Sequence, residues 1–295
     1  MYKLRNYLLC AFTAILLFFA AFAAEGAFVM KKYALVPETY KYILKLNGSY
    51  EKAYNELCKQ FESEENATGI PASVYTDAVT EEVLHSMIDS QIDSAFDCIY
   101  GNAPTVENTS SEEQLKVLKT SIEKFFDEYA KSINYQKDEA YFQKLDSVYA
   151  SASEKVTDTA DVYQLNKIAK AGFINTASKL VRYSDKICYA AFGITGFLLL
   201  VLIIANIKGI SGFFYWMSIS FGSVSALMVA GSIGLKHSHY FNRFAIKAQH
   251  IYSSITGACY YYTDLLLMIN AAVLAVSVIS MIIFWVAGRK KVSVQ

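Results

Sequence analysis

Asp77, Glu81, His85, Asp89, Asp93 and Asp97 follow one another at steps of four, a spacing that gathers ionisable side chains along a helix. Each step advances a helix by about 400°, so the row drifts by about 40° and its compact members are His85, Asp89, Asp93 and Asp97. Carboxylate oxygens ligate hard divalent cations, but a straight helix has no loop to wrap one, which restricts cation binding to a weak surface site. A stripe of one sign would also steer a basic partner towards it. No Lys or Arg occurs from Gln60 through Leu115, an interval that holds twelve carboxylates. Like charges at i,i+4 cost a helix about 0.2–0.5 kcal/mol per pair, so the row does not serve local helix stability. The plainest expectation is a solvated face, or one neutralised by Lys116, Lys119, Lys124 and Lys131 of the following helix. Changing Asp89, Asp93 and Asp97 to Asn is then expected to leave folding intact.

Other ionisable residues make weaker cases. Asp264 is the only acid after Asp185, and it follows Tyr260, Tyr261, Tyr262 and Thr263, an aromatic cluster of the kind found at membrane interfaces. His237, His239 and His250 share a loop with Tyr240, Phe241, Phe244 and Tyr252. Their spacing with Cys259 or Asp264 matches no closed metal site, so the loop is expected to lie in the lipid headgroup region with Arg243 and Lys247 reaching outward. No metal and no cofactor is expected. Five cysteines form no evident framework; Cys188 and Cys259, both at the outer ends of apolar runs, are the pair that could bridge. No Ser, Cys or His stands in a recognisable catalytic pattern, so no enzymatic activity is expected.

The elements around these residues divide the chain by charge. Residues 25–186 hold 26 acids against 18 Lys or Arg, whereas the remainder holds one acid against nine basic residues. Apolar runs over residues 7–24, 187–207, 210–235 and 263–287 are each near the ~20 residues that cross a bilayer core. The expected organisation is a first span within residues 1–30, a water-facing domain over 31–186, and three further spans within 187–291. An outer loop over 236–262 and a tail over 292–295 complete it. Lys3, Arg5, Lys208, Arg289, Lys290 and Lys291 outnumber Lys236, Arg243 and Lys247 in the short loops, which places both termini in the cytoplasm and exports residues 31–186. Against this stand Lys31, Lys32, Lys179, Arg182 and Lys186 flanking the domain. The first run also has the form of a cleavable signal, with Ala21-Phe22-Ala23 near its end, but apolar character resumes at Ala27 and favours an uncleaved anchor. Three sequons, Asn47, Asn66 and Asn108, fall within the domain.

The domain reads as helical, and the whole chain as all-α. Ile43, Leu46, Tyr50, Tyr54, Leu57 and Phe61 recur at steps of three and four, as do Leu84, Ile88, Ile92, Ala95 and Ile99. Ser110 and Glu113 have capping-box spacing ahead of Leu115, Leu118, Ile122, Phe125 and Phe126. A fourth stretch from about Lys137 is expected to run into the second span with little break near Gly172. Pro37, Pro71 and Pro104 punctuate these segments. In the third span Ser218, Gly222, Ala226, Ala230 and Gly234 form a small-residue stripe suited to close helix packing, within the chain or with a second copy. Asn206 and Asn270 are expected to bond across helices or sit at an end.

The resulting expectation is a multi-pass protein of the cell membrane, embedded in the lipid bilayer and without nucleic acid as a partner. Its exported domain would recognise a membrane or extracytoplasmic protein, as a non-enzymatic binding or scaffold subunit. The alternative is a small channel or transporter subunit that forms a homo-oligomer through the third span.

Overall fold

The computed structural model describes residues 2–106, 112–207 and 209–292. Asn108, Ser110 of the expected capping box and Lys208 lie outside the described residues, as do the side chains of Lys3, Arg5, Arg289, Lys290 and Lys291. Every regular element among the described residues is helical. In order these are α1 (Tyr2–Val29), a π-helical turn (Met30–Ala34), α2 (Pro37–Leu46), α3 (Ser49–Thr68), α4 (Ala72–Thr76), α5 (Glu81–Tyr100) and α6 (Glu112–Ser132). They continue with α7 (Glu139–Ala160), α8 (Leu165–Lys170), α9 (Phe173–Ala205), α10 (Ser211–His237), a 3-10 turn (Tyr240–Arg243) and α11 (Gln249–Val292).

Residues 37–180 and 245–257 make one of two compact units. Pro37 opens α2, where its missing N–H costs nothing, and Pro71 precedes α4. Thr80 caps α5 by accepting from the Val83 N–H at 3.3 Å, and Asp138 caps α7 by accepting from Tyr141 at 2.9 Å. Leu57, Phe61, Leu84, Ile88, Leu118, Ile122 and Val156 bring the apolar faces of α3, α5, α6 and α7 into one core. The stripe from Ile43 to Phe61 belongs to two helices, because Gly48 takes the left-handed conformation at φ 58° and turns the chain between them, leaving Leu46 exposed. The stretch after Lys137 is likewise interrupted. Asp161 accepts from the Leu165 N–H at 2.7 Å to start α8, Gln164 sits at φ 52°, and Gly172 at φ 84° separates α8 from α9.

The other unit comprises Met1–Val36, Val181–Phe244 and Ala258–Gln295. It holds most of four helices long and apolar enough to cross a membrane, over Asn6–Ala34, Phe173–Ala205, Ser211–His237 and Gln249–Ala287. Cys10, Ala14 and Leu17 of α1 pack with Leu198 and Leu202 of α9 and Trp216 of α10. Ser220 Oγ donates to the Ala14 carbonyl at 2.9 Å and the Asn6 amide to the Ala205 carbonyl at 3.0 Å, polar contacts that hold helices together where apolar burial gives little drive. The last helix is longer than the 263–287 run: its first residues, to Gly257, group with the other unit.

Candidate functional site

Asp77, Glu81, Asp93 and Asp97 of the acidic row are exposed, as a solvated face would be, and three of its carboxylates have partners within the fold. The Tyr50 hydroxyl of α3 donates to Asp89, Lys41 of α2 pairs with Asp93 at 2.5 Å, and the Asn102 amide reaches Asp97 at 3.3 Å. His85 Nε2 stands 4.0 Å from Asp89 Oδ2, and its ring meets that of Tyr50 edge-on at 3.9 Å between centroids. Burial, reinforced by the Asp89 carboxylate, pushes the Tyr50 phenol far above its usual range, so it keeps its proton and remains a donor. A cation for the row comes from Lys41 of α2, while Lys119 of α6 lies 4.0 Å from its own helix neighbour Glu123 and over the ring of Tyr149. Among the described residues no three His, Cys, Asp or Glu side chains converge as a metal would require.

The three loop histidines separate. His237 and His239 are exposed at the end of α10, whereas His250 is buried in the first turn of α11. His250 Nδ1 lies 2.6 Å from Glu56 Oε2, and Nε2 lies 3.2 Å from the Val162 carbonyl. A carbonyl only accepts, so Nε2 carries a hydrogen and donates to it. Tyr163 meets the His250 ring edge-on and its hydroxyl lies 3.1 Å from Ser254 Oγ; Ser49 and Ser253 hydroxyls lie 2.8 Å apart. Burial pushes the Tyr163 phenol up. Residues 245–257 group with residues 37–180, where these polar side chains find their partners.

The turn between α6 and α7 was not singled out by spacing. Asn134 at φ 52° reverses the chain, and around it Tyr129, Ile133, Tyr135 and Phe142 are each about half exposed. Asp127 fastens the base of this hairpin by pairing with Lys137 at 2.5 Å and accepting from the Tyr141 hydroxyl at 2.8 Å. Lys137, then Tyr141, hold the Asp127 carboxyl below the usual carboxylate range, while burial and Asp127 push the Tyr141 phenol to about 12. The signal available in the sequence was a set of large apolar residues flanking a polar turn, a pattern common to many helical hairpins.

In the apolar unit, Lys236 near the end of α10 pairs with Asp264, and Lys31 after α1 pairs with Asp185 of α9. Asn270 bonds across helices as expected, its amide donating to Glu25 of α1. Glu25, one residue beyond the 7–24 apolar run, lies within the longer apolar helix Asn6–Ala34. The small-residue stripe divides. Ser218 Oγ donates to the Ser277 carbonyl at 2.8 Å and a Cβ on Gly222 would stand 3.4 Å from Ser277, whereas Ala226, Ala230 and Gly234 are exposed. Ser218, Gly222 and Ala226 line a groove of about 410 Å³ with Ser277 and Met281. Cys188 and Cys259 are both free thiols, not a bridge; Cys188 packs against Ala24, Ala27 and Ala191.

Comparison with protein-family models, curated proteins and solved structures gave no match to this chain.

Proposed function

We propose that this chain is a multi-pass protein of the cell membrane with both termini in the cytoplasm, whose extracytoplasmic helical unit recognises a protein partner. In this reading it acts as a non-enzymatic binding or scaffold subunit. The observation that supports recognition is the α6–α7 hairpin tip. Tyr129, Ile133, Tyr135 and Phe142 stand in solvent although the same two helices bury Leu118, Ile122, Ala152 and Val156. Clustered exposed apolar side chains on a folded domain mark an interaction surface, and aromatic anchors on a braced base lose little entropy on docking. The acidic row is less suited to docking, since Asp89, Asp93 and Asp97 already have partners.

Crosslinking of the tagged full-length protein in its native membranes tests this reading. A stoichiometric partner should be recovered with the native chain and lost from a Tyr129→Ser, Ile133→Ser, Phe142→Ser variant whose helical circular dichroism is unchanged. Equal recovery of that partner by the variant would remove the tip from the reading. The alternative, a channel or transporter subunit oligomerising through α10, draws on the exposed Ala226, Ala230 and Gly234. Recovery of the protein alone as a defined homo-oligomer would favour it.

A further inference from the structure

Glu25 and Asn270 face each other inside two spans, Asn6–Ala34 and Gln249–Ala287. Asn270 is 1% exposed, and its orientation follows from chemistry. The Leu266 carbonyl, one turn earlier on α11, can only accept, so the atom 2.9 Å from it is the amide nitrogen. The second N–H of that nitrogen is the one directed at Glu25 Oε1. Lys31 and Asp264 each lie six residues from this pair along their own helices, towards the ion pairs Lys31–Asp185 and Lys236–Asp264. Six residues span about 9 Å of helix, so charges at the headgroup layer leave Glu25 well inside one hydrocarbon leaflet about 15 Å thick.

The surroundings offer the carboxylate little compensation. On α1 the nearest cation forward is Lys31, held by Asp185; α9 brings Cys188 beside Ala24 and Ala27; α11 brings Asp264, held by Lys236 of α10. Among the described residues no Lys, Arg or His pairs with Glu25. One neutral N–H does not offset an ionised carboxylate in hydrocarbon, and taking up a proton removes the cost. A metal cation is disfavoured at the same spot, because the amide presents its donor edge to the carboxylate and not its oxygen.

We propose that Glu25 is a proton-binding site within the bilayer. Asn270 holds Oε1, and the second carboxyl oxygen takes up and releases one proton with no other reactant.

A hydrophobic carbodiimide tests this on the full-length protein in native membranes. A protonated carboxyl in an apolar setting adds across the reagent, its proton passing to nitrogen, and the adduct rearranges to a stable N-acylurea read by peptide mass spectrometry. Glu25 should carry the adduct, and the rate should fall at least about tenfold between about pH 5 and about pH 9. Asn270→Leu, which removes the N–H favouring the ionised form, should move that fall to higher pH. Glu25→Gln, with its helical content checked by circular dichroism, should lose the adduct. An unlabelled Glu25 at about pH 5, or labelling indifferent to pH, would overturn the proposal. Protection by sodium or lithium at constant pH would also overturn it, in favour of a metal cation.

Discussion

His250 Nδ1 lies 2.6 Å from Glu56 Oε2 although 194 positions separate the two residues. With Nε2 facing the Val162 carbonyl, the imidazole joins the start of α11 to α3 and to the loop after α7. Helix α11, Gln249–Val292, supplies His250 to the unit of residues 37–180 and 245–257 and Asn270 to the apolar one.

Glu56→Ala should lower the stability of the full chain by about 1–3 kcal/mol, since it leaves a buried ring nitrogen without a partner. Glu56→Gln can donate to Nδ1 of a neutral His250 and should cost less than about 1 kcal/mol. Thermal unfolding of both variants in detergent checks the order; equal losses would place the value of Glu56 in its charge.

Titration should loosen the α6–α7 hairpin from both sides. The lowered Asp127 carboxyl contributes stability above its ordinary value of 3.8 that is lost as pH falls through its depressed one. The raised Tyr141 phenol contributes stability below its ordinary 10.0 that is lost as pH rises towards about 12. Amide hydrogen exchange around residues 133–138, corrected for intrinsic rates, should show constant protection between these limits and falling protection beyond each.

Within the acidic row the partners differ in burial, and the substitutions should differ in cost. Tyr50→Phe should lose about 1–2 kcal/mol with the hydrogen bond to Asp89, whereas Lys41→Met, breaking a more exposed pair, should lose less than about 1 kcal/mol. Chemical denaturation midpoints decide between them. A negligible effect of Tyr50→Phe would return Asp89 to the solvated face expected from spacing alone.

Along α10, Gly222→Ala should not lower thermal stability, because its Cβ would meet Ser277 at ordinary contact distance, 3.4 Å. Ala230→Leu, on an exposed part of the same stripe, should leave the monomer fold unchanged. Only if α10 also serves a second copy should it change the oligomeric state measured by light scattering.

Much of the fold could be read directly because helices and bilayers impose local patterns. Runs of about twenty apolar residues declare spans wherever they occur, and the steps of three and four in Leu84, Ile88, Ile92 and Ala95 declare a buried face before its partner is known. The prolines announced boundaries for the same local reason, an absent N–H. Less legible was where a helix pauses without proline. Gly48, Gln164 and Gly172 interrupt apolar periodicity through single backbone conformations, and a stripe can persist across such a break.

Composition and spacing alone determined that the chain is helical, that four segments are apolar enough for a membrane, and that its acids concentrate in one stretch. These properties are sums over neighbours in the chain. Only the tertiary structure decided which polar groups meet: Lys41 with Asp93, His250 with Glu56, and Asn270 with Glu25. Those partners lie 52, 194 and 245 positions apart, distances across which no local period carries information. A buried polar group must find a partner of opposite hydrogen-bonding character, but its identity is set by how helices pack, and packing is a property of the folded chain.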